Sequence, residues 1–154
     1  MASLIDNLFS VIDSQKNCLD ELLILSRAKK DLIVKNDIEN LGKITAAESS
    51  IVAKNTKLDK AREEITVDIA TVLAENAKEL TLTKIITLIN DEKDKERLLK
   101  LKEEVEDILK NLKTQNEQNN ELIQVSLDNI EFSMNVIREV GDKQEPRRII
   151  DTIN

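Results

Sequence analysis

The chain has no histidine, tryptophan or tyrosine, and among its 154 residues only one cysteine, one proline, two glycines and two phenylalanines. Each shortage closes a class of fold or function. Without histidine there is no His-based catalytic triad and no imidazole ligand for a metal. The lone Cys18 cannot form an internal disulfide and lacks the neighbouring base that a thiol nucleophile uses, so a reducing compartment is the simplest reading. Two glycines cannot build a phosphate-cradling loop, the many turns of a β-sandwich or barrel, or the strand–helix junctions of an α/β fold. The opening MASLIDNLFS has no basic region ahead of an apolar core, and no apolar run approaches the length of a membrane span. A net charge of −7 disfavours nucleic acid or an anionic membrane as principal partner. The expectation is a soluble cytoplasmic protein that is not an enzyme and holds no cofactor or metal. The carboxylates Glu103, Glu104, Glu106 and Asp107 read as a solvated helix face.

What is present is 34% charged and 40% hydrophobic residues in a helical rhythm. The pattern predicts an all-α fold: an elongated antiparallel helical bundle, or coiled-coil hairpin, of three long helices plus one short one. Helix spans of about 3–34, 38–76, 81–90 and 92–140 follow from apolar spacing and caps. Asn36 suits a left-handed C′ position and Asp37 an N-cap, so the first two helices should form a tight hairpin. Thr81 and Asp91 are the caps expected for the third and fourth helices, and Gly141 and Pro146 end the last. A single bundle domain over 1–141 and a flexible C-terminal tail over 142–154 complete this organisation.

Pairing across the Asn36 turn sets Gln15 beside Asn55 or its neighbours. Two readings stay open there, a wet gap in a thin bundle and a hydrogen-bonded layer that fixes register. Glu48 and Arg62 also fall on the second helix's seam and need partners. Gly42 lies inside that helix, where close approach of the first helix would explain it.

The last helix carries the most information. Leu98, Leu101, Val105, Ile108 and Leu112 point one way, Asn116 and Asn119 continue the line, and Ile123, Leu127, Ile130, Met134 and Ile137 extend it. This first stripe is the expected bundle face along its whole length. From Leu122 a second stripe appears, formed by Leu122, Val125, Phe132, Val136 and Val140 and rotated by roughly 130° from the first. A helix apolar over so much of its circumference needs covering on two sides. The second cover is either the short 81–90 helix or a partner.

At these residues the chain resembles the FlgN family of flagellar type III export chaperones. Lys30-Asp31-Leu32-Ile33 with Asn36-Asp37-Ile38-Glu39-Asn40-Leu41 is similar to the family's first turn. Leu80-Thr81-Leu82 with Ile85 and Ile86 follows, and Asn116…Asn119-Asn120…Leu122-Ile123 is the most specific piece. The resemblance implies a cytoplasmic chaperone without cofactor. It would bind hook-associated proteins of the hook–filament junction through its C-terminal helix and deliver them to the export apparatus. Carried over by position, client binding falls on Leu122, Val125, Phe132, Val136 and Val140. The export gate is a further partner that the resemblance implies, but family members often reach it with a tyrosine, and this chain has none. The alternative is a structural coiled-coil adaptor with no secreted client. Apolar surplus confined to one helix end favours the chaperone, since a coiled coil would spread it along its length.

Overall fold

The computed structural model describes residues 1–140, the Val140 side chain excepted. It contains α1 (Ala2–Lys35), α2 (Ile38–Leu73), a 3-10 turn (Ala77–Glu79), α3 (Leu82–Leu88) and α4 (Glu92–Val140). The fold is all-α, as the pattern predicts. The expected tail over 142–154 lies outside the described residues.

The first turn forms for the reasons read from sequence. Asn36 adopts φ 55°, and its N–H donates to the Ile33 carbonyl while that of Asp37 donates to Leu32, which satisfies carbonyls the helix end would leave bare. The Asp37 carboxylate then accepts the Asn40 side-chain amide at 2.7 Å and the Asn40 backbone N–H at 3.2 Å. These two bonds, the side-chain one foremost, hold the Asp37 carboxyl below its ordinary range. Thr81 and Asp91 cap α3 and α4 in the same way, through the backbone N–H groups of Lys84, Lys93 and Asp94.

The second turn departs from expectation. α2 stops at Leu73 rather than running to Asn76, because Ala74 turns left-handed at φ 54° and the Glu75 N–H closes onto the Ala70 carbonyl. Asn76 begins the next element instead, accepting the Lys78 N–H. An alanine carries strain in this conformation. What the early exit gains is the core contact of the segment that follows. Leu80, Ile85 and Ile89 are buried against Ile5, Leu8 and Ile12 of α1, Ile69 and Ala70 of α2, and Leu98 and Leu101 of α4.

α1 is the central helix. It packs antiparallel to α2 and parallel to α4, whereas no Cα of α2 comes within 8 Å of one in α4. The apolar core lies at the end where α1 begins; α3 packs along α4 there and shares a cavity of about 520 Å³ with Arg62, Thr66 and Val67 of α2. Beyond it, from Ile38 to Asp68, α2 has no buried residue, and its seam residues Ile44, Ile51, Leu58 and Ile65 are half-buried. Gln15 and Asn55 do line one cavity of about 320 Å³ between the three long helices. Gln15 Nε2, however, donates to Asp59 Oδ1 at 2.6 Å, one turn beyond Asn55. Lys29 similarly meets Glu48 at 2.7 Å, beyond the residue the turn-centred register expects. The cause is geometric: helix side chains lean toward their own N-terminus, so in an antiparallel pair long side chains meet from backbone positions offset along the axes. Glu48 thus has its partner, and Arg62 pairs with Asp59 at 3.3 Å.

Gly42 does not mark a close approach. A Cβ there would meet nothing within 4 Å. Glycine stands where alanine fits, and alanine stands at 74 where glycine fits. Each of Gly42→Ala and Ala74→Gly should therefore stabilise the protein by about 0.5–1 kcal/mol, read as a higher denaturation midpoint. A lowered midpoint in Gly42→Ala would mean that the site is not open.

Candidate functional site

Three pairings fix how α4 lies along α1. Near the start of both helices, the Arg97 guanidinium pairs with Asp6, reaches Asp94 at 3.3 Å and sits 4.5 Å above the Phe9 ring. Lys16 meets Glu104 at 3.3 Å. Further on lies a polar layer. Ser26 Oγ donates to Asn116 Oδ1 at 2.7 Å, while Asn119 Nδ2 donates to the Ser26 carbonyl at 2.8 Å and to Ser26 Oγ at 3.1 Å. Gln115 Nε2 donates to Asn119 Oδ1 at 3.1 Å, so both functions of the buried Asn119 amide are occupied. The Asn-x-x-Asn spacing noted in the sequence thus clasps a serine of the neighbouring helix. Nothing in the apolar pattern marks Ser26, because a small polar residue on a helix reads equally well as surface.

At this register Lys35, the end of α1, falls level with about residue 126 of α4, and α2 begins just past the turn. α4 continues to Val140. Residues 131–140 extend beyond the hairpin by roughly 15 Å at a rise of 1.5 Å per residue. Second-stripe side chains here and on the turns leading to it are mostly exposed. Phe132 is 69% exposed and Val125 55%, with Val136 exposed as well and Leu122 half-buried. Val140 is the last described residue of the helix, its side chain excepted.

The first stripe is not bundle-held to its end, contrary to the sequence expectation. Leu98 and Leu101 are buried and Val105, Ile108 and Leu112 half-buried. Leu127 is 53% and Ile130 45% exposed, and Ile123 and Ile137 are exposed too. For Leu127, Ile130 and Ile137 the reason is length, since α1 ends level with about residue 126; Ile123 lies beside its last turn and is exposed all the same. Ile123, Leu127 and Ile130 instead share a groove of about 320 Å³ with Ile33 of α1 and Ile38 and Leu41 of α2. Sequence reasoning missed these last three. The signal was available in the mismatch between a first helix ending near 34 and a parallel last helix running to 140, but only once the two are known to run side by side.

The short helix does not cover the second stripe. α3 is committed to the opposite end of the bundle, where Ile85 is buried against the core. Among the described residues no cluster of His, Cys, Asp or Glu could hold a metal ion, and Cys18 is buried. No helix there is long and apolar enough to cross a membrane. What the site offers is apolar surface on two sides of a protruding helix, which suits helix docking.

A family model described as FlgN protein matches residues 1–145. Neither a curated protein nor a solved structure matches the chain.

Removing the clasp should be felt as lost stability, and altering the overhang should not. Asn119→Ala should cost about 1–3 kcal/mol by leaving Ser26 and Gln115 groups unpaired. Phe132→Asp and Val136→Asp should each stay within about 0.5 kcal/mol of the parent, as exposed substitutions do. Chemical denaturation followed by circular dichroism decides it, and a collapse of either aspartate variant would show that the overhang is packed.

Proposed function

The chain belongs to the FlgN family, the flagellar export chaperones, and from that premise we propose that its clients are the hook-associated proteins of the hook–filament junction. The client presents an amphipathic terminal helix, and the seat for it is the overhanging end of α4. Leu122, Val125, Phe132, Val136 and Val140 form the principal contact. The corner groove of Ile33, Ile38, Leu41, Ile123, Leu127 and Ile130 adjoins it on the other side of the helix. In this reading the chaperone works in the cytoplasm and hands the client to the type III export apparatus, with gate contact made by residues other than a tyrosine.

The observation that carries the reading is the overhang itself. A helix that ends with apolar residues bare on two faces leaves surface that water penalises, and a client helix removes it. Fully burying one such side chain is worth roughly 1.5–3 kcal/mol, while ordering a disordered client segment costs about 2–5 kcal/mol or more. Two or three well-covered side chains offset that cost, and the remainder supplies affinity. Phe132, the largest of them and central to the stripe, should dominate.

Titration calorimetry with the C-terminal helix of a hook-associated protein tests this. Phe132→Asp should weaken binding by about a hundredfold or more, equivalent to roughly 2.7 kcal/mol, with helical circular dichroism unchanged. Undiminished binding by a folded Phe132→Asp protein would remove the second stripe from the client site.

A further inference from the structure

The second stripe has two unlike edges. On an ideal helix Glu121, Asp128 and Glu139 fall within about 20° of one another, along the edge turned away from the first stripe. All three are exposed, and among the described residues none forms an ion pair. Asp128 is steadied by Gln124, whose Nε2 donates to its Oδ1 at 3.0 Å. The other edge, between the two stripes, carries the neutral Ser126 and Ser133, while Asn129 falls within the second stripe itself. Between Lys113 and Arg138 the helix has no basic residue at all. The seat has a floor apolar but for Asn129, one acidic wall and one neutral wall.

We propose that the helix received by the second stripe carries a row of lysine or arginine along one side of its apolar face, set against Glu121, Asp128 and Glu139. The inference rests on the reading that this stripe receives a helix, and adds the chemistry of the occupant. Charge pairs flanking an apolar seam set partner choice and orientation in helix pairs more than they add affinity. The same acids count against a second copy of this chain as occupant. Two α4 ends laid together would oppose acid rows with no basic residue from 114 to 137 to relieve them. They count equally against an anionic surface.

The test uses the full chain and two designed three-heptad peptides. Both have leucine at the a and d positions. One has lysine at every e and g position and its twin has glutamate there, so peptide orientation does not matter. At low salt the lysine peptide should bind about tenfold more tightly, as two or three exposed pairs allow, and the gap should close near 1 M salt. The double variant Glu121→Lys, Asp128→Lys should invert the order of the two peptides. Phe132→Asp, checked as folded by circular dichroism, should bind neither. If both peptides bind the parent equally and the charge reversal changes nothing, the basic row is wrong while helix docking stands. If neither binds the parent, docking on this stripe falls and the basic row with it. If the lysine peptide is still preferred by Phe132→Asp, the attraction is nonspecific and the assignment is overturned. Sedimentation of the free protein closes the remaining route: a dimer dissolved by Phe132→Asp would place a second copy on the stripe instead.

Discussion

The clasp of buried Ser26 by Asn116 and Asn119 is the constraint on which the exposed end of α4 depends. An apolar seam alone tolerates sliding, because leucine and isoleucine one turn apart are nearly interchangeable. A polar layer does not. Moving α4 by one turn, about 5.4 Å, would leave the Asn119 amide and the Ser26 hydroxyl buried without partners. Single polar core positions fix register in coiled coils in the same way. Here register has a further consequence, since the end of α1 is a fixed point set by the Asn36 cap. Together the clasp and the cap determine how much of α4 is left uncovered.

The two ends of the bundle are built differently, and the difference follows from one short helix. Where α3 packs on α4, residues from all four helices are buried together, beside a cavity of about 520 Å³ toward α2. Past it, α2 and α4 are held only through α1, and the surfaces between them are half-buried and include the cavity beside Gln15 and Asn55. The buried core is concentrated at one end, and most of the exposed apolar side chains of α4 lie at the other. A chaperone needs that arrangement, because a surface that accepts a client must stay uncovered in the free protein without loosening the remainder.

Much of the fold was legible because its punctuation is local. Asn36-Asp37, Thr81 and Asp91 act within a few residues of themselves, and each caps the helix that its chemistry predicts. The exit of α2 at Ala74 was not legible, since alanine is a strong helix former and its left-handed turn precedes a segment whose Leu80 and Ile85 are buried in the core. Gln15 and Asn55 were placed together correctly, but the bond to Asp59 depends on side-chain lean, which residue numbering alone omits. The candidate site divides in the same manner. The second stripe is a property of one helix and could be read from periodicity. The exposure of Ile130 and the contribution of Ile38 and Leu41 depend on where two other helices end, so the first stripe was assigned too completely to the bundle.

Amide hydrogen exchange along α4, with and without the terminal helix of a hook-associated client, tests the central claim most directly. In the free protein the amides around Leu98 to Asn119 should be strongly protected and those of residues 131–140 should exchange quickly. Client addition should slow exchange from about Leu122 to the end of the helix and leave α3 and the core end unchanged. Protection that appears instead along the half-buried face of α2 near Asn55, with the overhang still exchanging freely, would contradict the account and move the client seat to the cavity between the long helices.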